Sequence, residues 1–219
     1  MKKLFLLFIA VLSYVTTYAY EVDYKPSDSI RVIKLLNDAK KQPESTNYII
    51  YFARKLKSIP YVAHTLEINK KEKLVINLRQ LDCTTYVENV VALSMCMSEK
   101  KYTFKSFCDN LKKIRYRDDS QPHYTQRLHY FTDWIENNTK KGICKEIQSP
   151  APFTNTQRIN VFYMSENPSK YKMLKENPKY IPTIRKTEQN INQKTYRYIP
   201  KTEVKNTNIV RRTIQDGDI

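Results

Sequence analysis

Leu74-Val75-Ile76-Asn77-Leu78 and, after Arg79-Gln80-Leu81, the run Asp82-Cys83-Thr84-Thr85-Tyr86-Val87-Glu88 decide how this chain folds. The first run is apolar and β-prone and reads as a short strand. Asp82 then places a carboxylate where a helix needs an N-cap, and Val87, Val90, Val91 and Met95 recur behind it at helical spacing. The pattern predicts a helix over residues 83–96 that buries those four positions. A cysteine that opens a helix stands among unpaired backbone N–H groups, where the macrodipole favours negative charge, so the position of Cys83 is one that can stabilise a thiolate. The same N–H groups can hold an oxyanion. A cysteine without a chemical role would instead be a small buried hydrophobe.

Working upstream, Ile30, Val32, Ile33, Leu35, Leu36 and Ala39 suit a mostly buried helix capped by Asp28 or Ser29. A second helix after Pro43 carries Tyr48, Ile49, Phe52, Ala53 and Leu56 on one face, and Pro60 stops it. Downstream, Thr103 caps an amphipathic helix through Phe104, Phe107, Leu111 and Ile114. Further helical turns are predicted within residues 128–137. Beyond Cys144 prolines punctuate polar sequence, and residues 196–200 and 209–213 read as strands. No repeat or heptad is present to suggest an array or a coiled coil.

At the start of the chain Lys2 and Lys3 precede an apolar run, residues 4–12, and then Thr17-Tyr18-Ala19. This is the pattern of a secretory signal peptide, residues 1–19, and the run is too short to span a bilayer. Cleavage after Ala19 would leave residues 20–219 as one soluble domain with no integral membrane segment. Loss of Lys2 and Lys3 would lower the net charge from +16 to +14, which gives a surface attracted to anions. An exported chain is not expected to meet nucleic acid. Cys83, Cys96, Cys108 and Cys144 contain no C-x-x-C pair, so no metal site and no cofactor is expected. If one thiol stays free for chemistry, at most one disulfide can form among the other three.

Leu81-Asp82-Cys83-Thr84-Thr85-Tyr86-Val87-Glu88 resembles the nucleophile motif of the NlpC/p60 cell-wall hydrolases. Ile59-Pro60-Tyr61-Val62-Ala63-His64-Thr65-Leu66-Glu67 resembles their tyrosine-bearing segment, and Arg127-Leu128-His129-Tyr130-Phe131-Thr132-Asp133-Trp134-Ile135 narrows the likeness to the N-acetylmuramoyl-L-alanine amidase-like branch. The resemblance runs from about residue 60 to the last residue. It departs from the pattern at Ser58-Ile59, where a glycine is usual, and at His64, where a small residue is commoner.

This resemblance implies an α+β, papain-like NlpC-type fold, with a helical N-terminal portion packed on an antiparallel sheet. It implies hydrolysis of the amide between N-acetylmuramic acid and L-alanine in peptidoglycan or muropeptides, in the periplasm or at the cell surface. Cys83 would be the nucleophile, with Tyr61, Asp82, Arg127, His129 and Tyr130 binding substrate. Arg127 could grip a stem-peptide carboxylate or serve as a helix-capping charge, and Tyr61 could face substrate or the core. Trp134 suits the core better than a sugar-stacking role.

In the resembled family Gly-Asp followed by an apolar residue opens a strand, and the catalytic histidine comes later. Here Gly217-Asp218-Ile219 are the last residues, so the sheet is expected to be incomplete and the chain weakly active or inactive. The alternative expectation is a non-catalytic peptidoglycan or muropeptide binder that keeps the pocket without the base. An exported basic adaptor would leave the three motifs as coincidence.

Overall fold

The computed structural model describes residues 20–147, 155–205 and 207–218. The expected signal peptide, residues 1–19, lies outside the described residues. The chain runs through β1 (Val22–Tyr24), α1 (Pro26–Ala39), α2 (Tyr48–Leu56), β2 (Leu74–Ile76), α3 (Cys83–Ser98), α4 (Phe104–Arg115) and α5 (Phe131–Lys140). There follow β3 (Asn155–Arg158), α6 (Tyr163–Glu166), α7 (Lys172–Glu176), α8 (Ile181–Asn192), β4 (Thr195–Tyr198), α9 (Lys201–Val204) and α10 (Thr207–Thr213). The arrangement is α+β, and helices dominate its first half.

The expected antiparallel sheet beneath the helices is replaced, among the described residues, by two separate strand pairs. β1 and β2 pair in parallel, Val22 opposite Leu74 and Tyr24 opposite Ile76. All three β2 residues are buried, as suits a parallel strand covered on both faces. β3 and β4 form an antiparallel ribbon, Asn155 opposite Tyr198 and Arg158 opposite Thr195, and β3 is exposed throughout.

Helix α3 lies against α2 and α4 in the main core. Phe52, Leu93, Phe107 and Leu111 have no exposed surface there, and each contributes about 1.5–3 kcal/mol by its burial. The buried face of α3 differs from the predicted one. Val90 is buried and Val87, Val91 and Met95 pack half-buried against the core, but the deepest positions are Glu88, Asn89, Ala92, Leu93 and Cys96. The polar members can sit there because they are paired: Glu88 meets Arg115, and Asn89 Nδ2 donates to the Thr85 carbonyl at 2.7 Å.

Three further expectations are corrected. Helix α1 begins at Pro26, whose fixed φ suits the first helical position, so neither Asp28 nor Ser29 is the cap residue. Asp28 is instead wholly buried and accepts from the Lys25 N–H at 3.0 Å and the Leu78 N–H at 3.0 Å, tying α1 to the segment after β2. Residues 209–213 lie in α10 and not in a strand, because no neighbouring strand pairs with them and their backbone satisfies itself locally, as in Ile214 N–H to Val210 C=O at 2.8 Å. Gly217 and Asp218 do not open a strand; Asp218 closes a turn with Gln215, and Gly217 adopts φ +108° beside Ile49.

A second, smaller core gathers Tyr124, Met164, Met173, Leu174 and Ile184. Glu188 of α8 fastens it, accepting from the Tyr130 hydroxyl at 2.6 Å and from the Met164 and Ser165 N–H groups at 3.1 Å each. Cys83, Cys96, Cys108 and Cys144 are not bridged to one another in this structure.

Candidate functional site

Asp82 caps α3 as predicted: its Oδ1 accepts from the Thr85 N–H at 2.8 Å, and the Thr85 hydroxyl accepts from the Asp82 N–H at 2.9 Å. This reciprocal cap fixes where the helix starts. Cys83 is therefore the first helical residue, and it is exposed. Thr85 and Tyr86 use their N–H groups on Asp82, but those of Cys83 and Thr84 donate to no acceptor among the described residues. An accessible thiol thus stands beside two unused amide donors at the positive end of a 16-residue helix. A helix end of this kind offers two N–H donors to an anionic oxygen that comes near the sulfur.

The other thiols differ. Cys96 and Cys108 are buried, and burial pushes the Cys96 thiol up to about 12, which makes it inert.

Tyr61 is brought to Cys83 by the backbone. A bridge pairs Tyr61 with Leu81, with Val62 N–H donating to Leu81 C=O at 3.0 Å and Leu81 N–H to Pro60 C=O at 3.1 Å. The Tyr61 side chain is 70 % exposed, which removes the core alternative for it.

Arg127, His129 and Tyr130 sit in a different environment. Arg127 is 6 % exposed, pairs with Glu67 at 2.8 Å, lies 3.6 Å from Glu72 and stacks on the Tyr124 ring at 4.9 Å. Burial opposes its charge, but the carboxylates of Glu72 and Glu67 outweigh that and hold its pKa above the usual arginine value. A stem-peptide carboxylate would have to displace Glu67 to reach it.

His129 donates from Nε2 to the Tyr124 carbonyl at 2.7 Å. Burial of the ring, and then the Arg127 charge, push its pKa down to about 3. Tyr130 is committed to Glu188. Trp134 is fully buried, in line with the core role expected of it.

The base is the missing member. His64 is exposed with φ +62°, and His123 Nδ1 lies 2.9 Å from the Thr125 hydroxyl. Among the described residues no imidazole is hydrogen-bonded to Cys83, whose nearest polar side-chain partner is the Thr84 hydroxyl at 4.0 Å.

The polar framework behind the site was not visible in the sequence. Glu88 and Arg115 form a fully buried pair at 2.8 Å, and Arg115 Nη1 donates to the Val75 carbonyl at 2.6 Å. Tyr116 donates to Glu72 at 2.8 Å and Tyr124 to Glu67 at 3.1 Å. Partners this far apart in sequence leave no local pattern; only Thr85, three residues after its partner Asp82, could have been read in advance.

His129 also predicts an acid sensitivity. In the unfolded chain an imidazole titrates near its ordinary value of 6.5, whereas burial holds the folded one at about 3, so below 6.5 the unfolded state binds more protons. The stability that depends on a neutral His129 is complete above that value and lost as the pH falls through the window, by at most about 1.4 kcal/mol per pH unit. His129→Gln, which keeps a donor for Tyr124, should flatten the dependence of Tm on pH between about 4 and 6. Parallel profiles for the two proteins would count against this assignment.

With the geometry in place, comparison with known proteins decides the family. Residues 51–219 match the AmiA-like family profile, described as N-acetylmuramoyl-L-alanine amidase-like. The chain belongs to this amidase-like family. A crystal structure of an N-acetylmuramoyl-L-alanine amidase from Bacteroides uniformis is 40 % identical, with a TM-score of 0.66 over 71 % of this chain and 65 % of that one. A second crystal structure of an amidase from the same organism gives 40 % identity and a TM-score of 0.65, over 71 % of this chain and 64 % of that one. A Bacteroides fragilis protein described as a candidate xylanase is 38 % identical, with a TM-score of 0.60 over 66 % of this chain and 62 % of that one. This amidase-like chain therefore spans 65 % or less of the length of each of these three structural relatives. No curated protein sequence matches it significantly.

Proposed function

We propose that this chain is a peptidoglycan or muropeptide amidase of papain-like, NlpC/p60 type, acting on the bond between N-acetylmuramic acid and L-alanine through Cys83. The observation that carries the reading is the exposed Cys83 thiol at the first residue of α3 beside the unused N–H groups of Cys83 and Thr84. In the proposed reaction the thiolate adds to the lactyl carbonyl, and the two amides hold the developing oxyanion. The C–N bond then breaks, the L-alanyl amine leaves with a proton, and water releases the acyl group from sulfur. Asp82 holds the helix start in place, and Tyr61 offers its exposed ring to the sugar or peptide. Arg127, His129 and Tyr130 are engaged with Glu67, the Tyr124 carbonyl and Glu188, and would contribute to substrate binding only by exchanging those partners. The proposed setting is the periplasm or cell surface; no helix among the described residues is long and apolar enough to cross a membrane.

A second reading is favoured by the three histidines, none of which is hydrogen-bonded to Cys83. A thiol without an imidazole partner lacks both the base that activates it and the acid that protonates the leaving amine. This chain by itself is therefore expected to turn over slowly or not at all, which would leave a muropeptide binder. Incubation with muropeptides followed by mass spectrometry separates the two. Slow release of stem peptide that stops in Cys83→Ala supports the amidase, and binding with no release in either protein supports the binder. Release undiminished in Cys83→Ala would remove Cys83 from the reaction.

A further inference from the structure

Between α5 and α8 lies a cleft of about 470 Å³ that contains no residue of the segment running from Tyr61 through Cys83. Its size falls in the range of small-ligand pockets, roughly 300–1,000 Å³. Its lining residues are polar or charged apart from Ile191, their stems supplying apolar surface between the polar groups. Four cations face two carboxylates. Asp133 is spent on a two-point pair with Arg117 at 3.1 and 2.7 Å, and Glu136 is shared between Lys140 and Lys194. Lys186 is exposed and has no ion-pair partner among the described residues, so the wall keeps uncompensated positive charge.

Around that charge stand the hydroxyls of Thr183 and Thr187 and the side-chain amide of Asn190. Gln126, also on the wall, has a side-chain amide oxygen with no hydrogen-bond partner. Such a surface complements a carboxylate held by lysine together with hydroxyl and amide groups that both donate and accept.

We propose that the α5–α8 cleft is a second binding site, separate from Cys83, for a small carboxylated ligand rich in hydroxyl and amide groups, of the sugar-peptide class found in the cell wall. The choice of sugar-peptide rests on the amidase reading; the preference for a carboxylate rests on the cleft alone. Like charge placed against a bound carboxylate is strongly unfavourable, so two exposed positions on α8 test it.

Calorimetric titration with muramyl dipeptide, which carries a muramic acid and a free carboxylate, should show binding. Lys186→Glu and Asn190→Asp should each weaken it about tenfold or more, and Lys186→Arg should retain it. N-acetylglucosamine, which has no carboxylate, should bind far less well. The titrations are run in the Cys83→Ala background, so that the proposed cleavage does not consume the ligand. The proposal is overturned if muramyl dipeptide shows no binding at millimolar concentration, if both acidic variants bind as the parent does, or if N-acetylglucosamine binds equally well. Loss of cleavage in Cys83→Ala with undisturbed binding in Lys186→Glu would keep the amidase reading and discard this site. A Lys186-dependent affinity in a protein that never cleaves would do the reverse.

Discussion

Arg115→Ala is expected to cost about 3–5 kcal/mol of folding stability, because it strands the Glu88 carboxylate in the core. Both side chains of that pair are 2 % exposed. Burial already pushes the Glu88 pKa up, and Arg115 is the largest influence holding it down. Without the guanidinium the carboxyl must take up a proton to remain buried, and Val75 loses its side-chain donor. For a chain of this length the loss corresponds to a fall in Tm of roughly 6–20 °C. The pH dependence has a definite sign. A carboxyl whose folded pKa lies above its unfolded value binds the extra proton in the folded state, so the deficit should be smaller near about pH 5 and grow as the pH rises. A double variant, Glu88→Leu with Arg115→Met, should recover most of the loss, since matched apolar groups often replace a buried pair without penalty. Thermal melts of the single and double variants test this, and a single variant within about 1 kcal/mol of the parent would refute it.

Arg127→Ala should be of similar size, about 3–5 kcal/mol, for a related reason. Arg127 lies between Glu67 and Glu72, whose side chains are 14 % and 7 % exposed, and removing it leaves two nearly buried carboxylates with only tyrosine hydroxyls as partners. It also uncovers the face of Tyr124, which belongs to the second core, so the damage should spread there. Arg127→Lys should rescue little, because a point charge can neither serve both carboxylates nor stack flat on a ring. Urea unfolding midpoints of the three proteins are the measurement, and a lysine variant as stable as the parent would sink the argument. The two arginines are linked through the Leu128 N–H to Arg115 C=O bond at 2.9 Å, so the two losses are not expected to add.

What the sequence made legible is what is encoded locally. Asp82 and Thr103 cap α3 and α4 where predicted, because a capping side chain acts within three residues of itself. The parallel pairing of β1 with β2 was hidden: three residues give too little pattern, and the partner comes some fifty positions later. The inward turn of Glu88 was hidden too, since its warrant is Arg115 on another helix. At the candidate site, the motif located Cys83 and its helix. The commitment of Arg127 to Glu67 and of His129 to a backbone carbonyl depends on segments that meet only in the folded protein. Residues 209–213 looked like a strand because β-branched residues suit one, yet a strand exists only where something pairs with it.

Residues 20–24 are anchored to the rest of the chain and are no mere tail. The Tyr20 hydroxyl donates to Asp109 of α4 at 2.7 Å, Glu21 meets Lys73 at 2.8 Å, and the next three residues are one half of the parallel pair. A recombinant version trimmed past Tyr24, or one whose affinity tag is spliced directly onto that stretch, would strip the edge of β2 and disturb the platform on which the Cys83 helix rests. Anyone shortening this protein for expression should keep the stretch that begins at Tyr20.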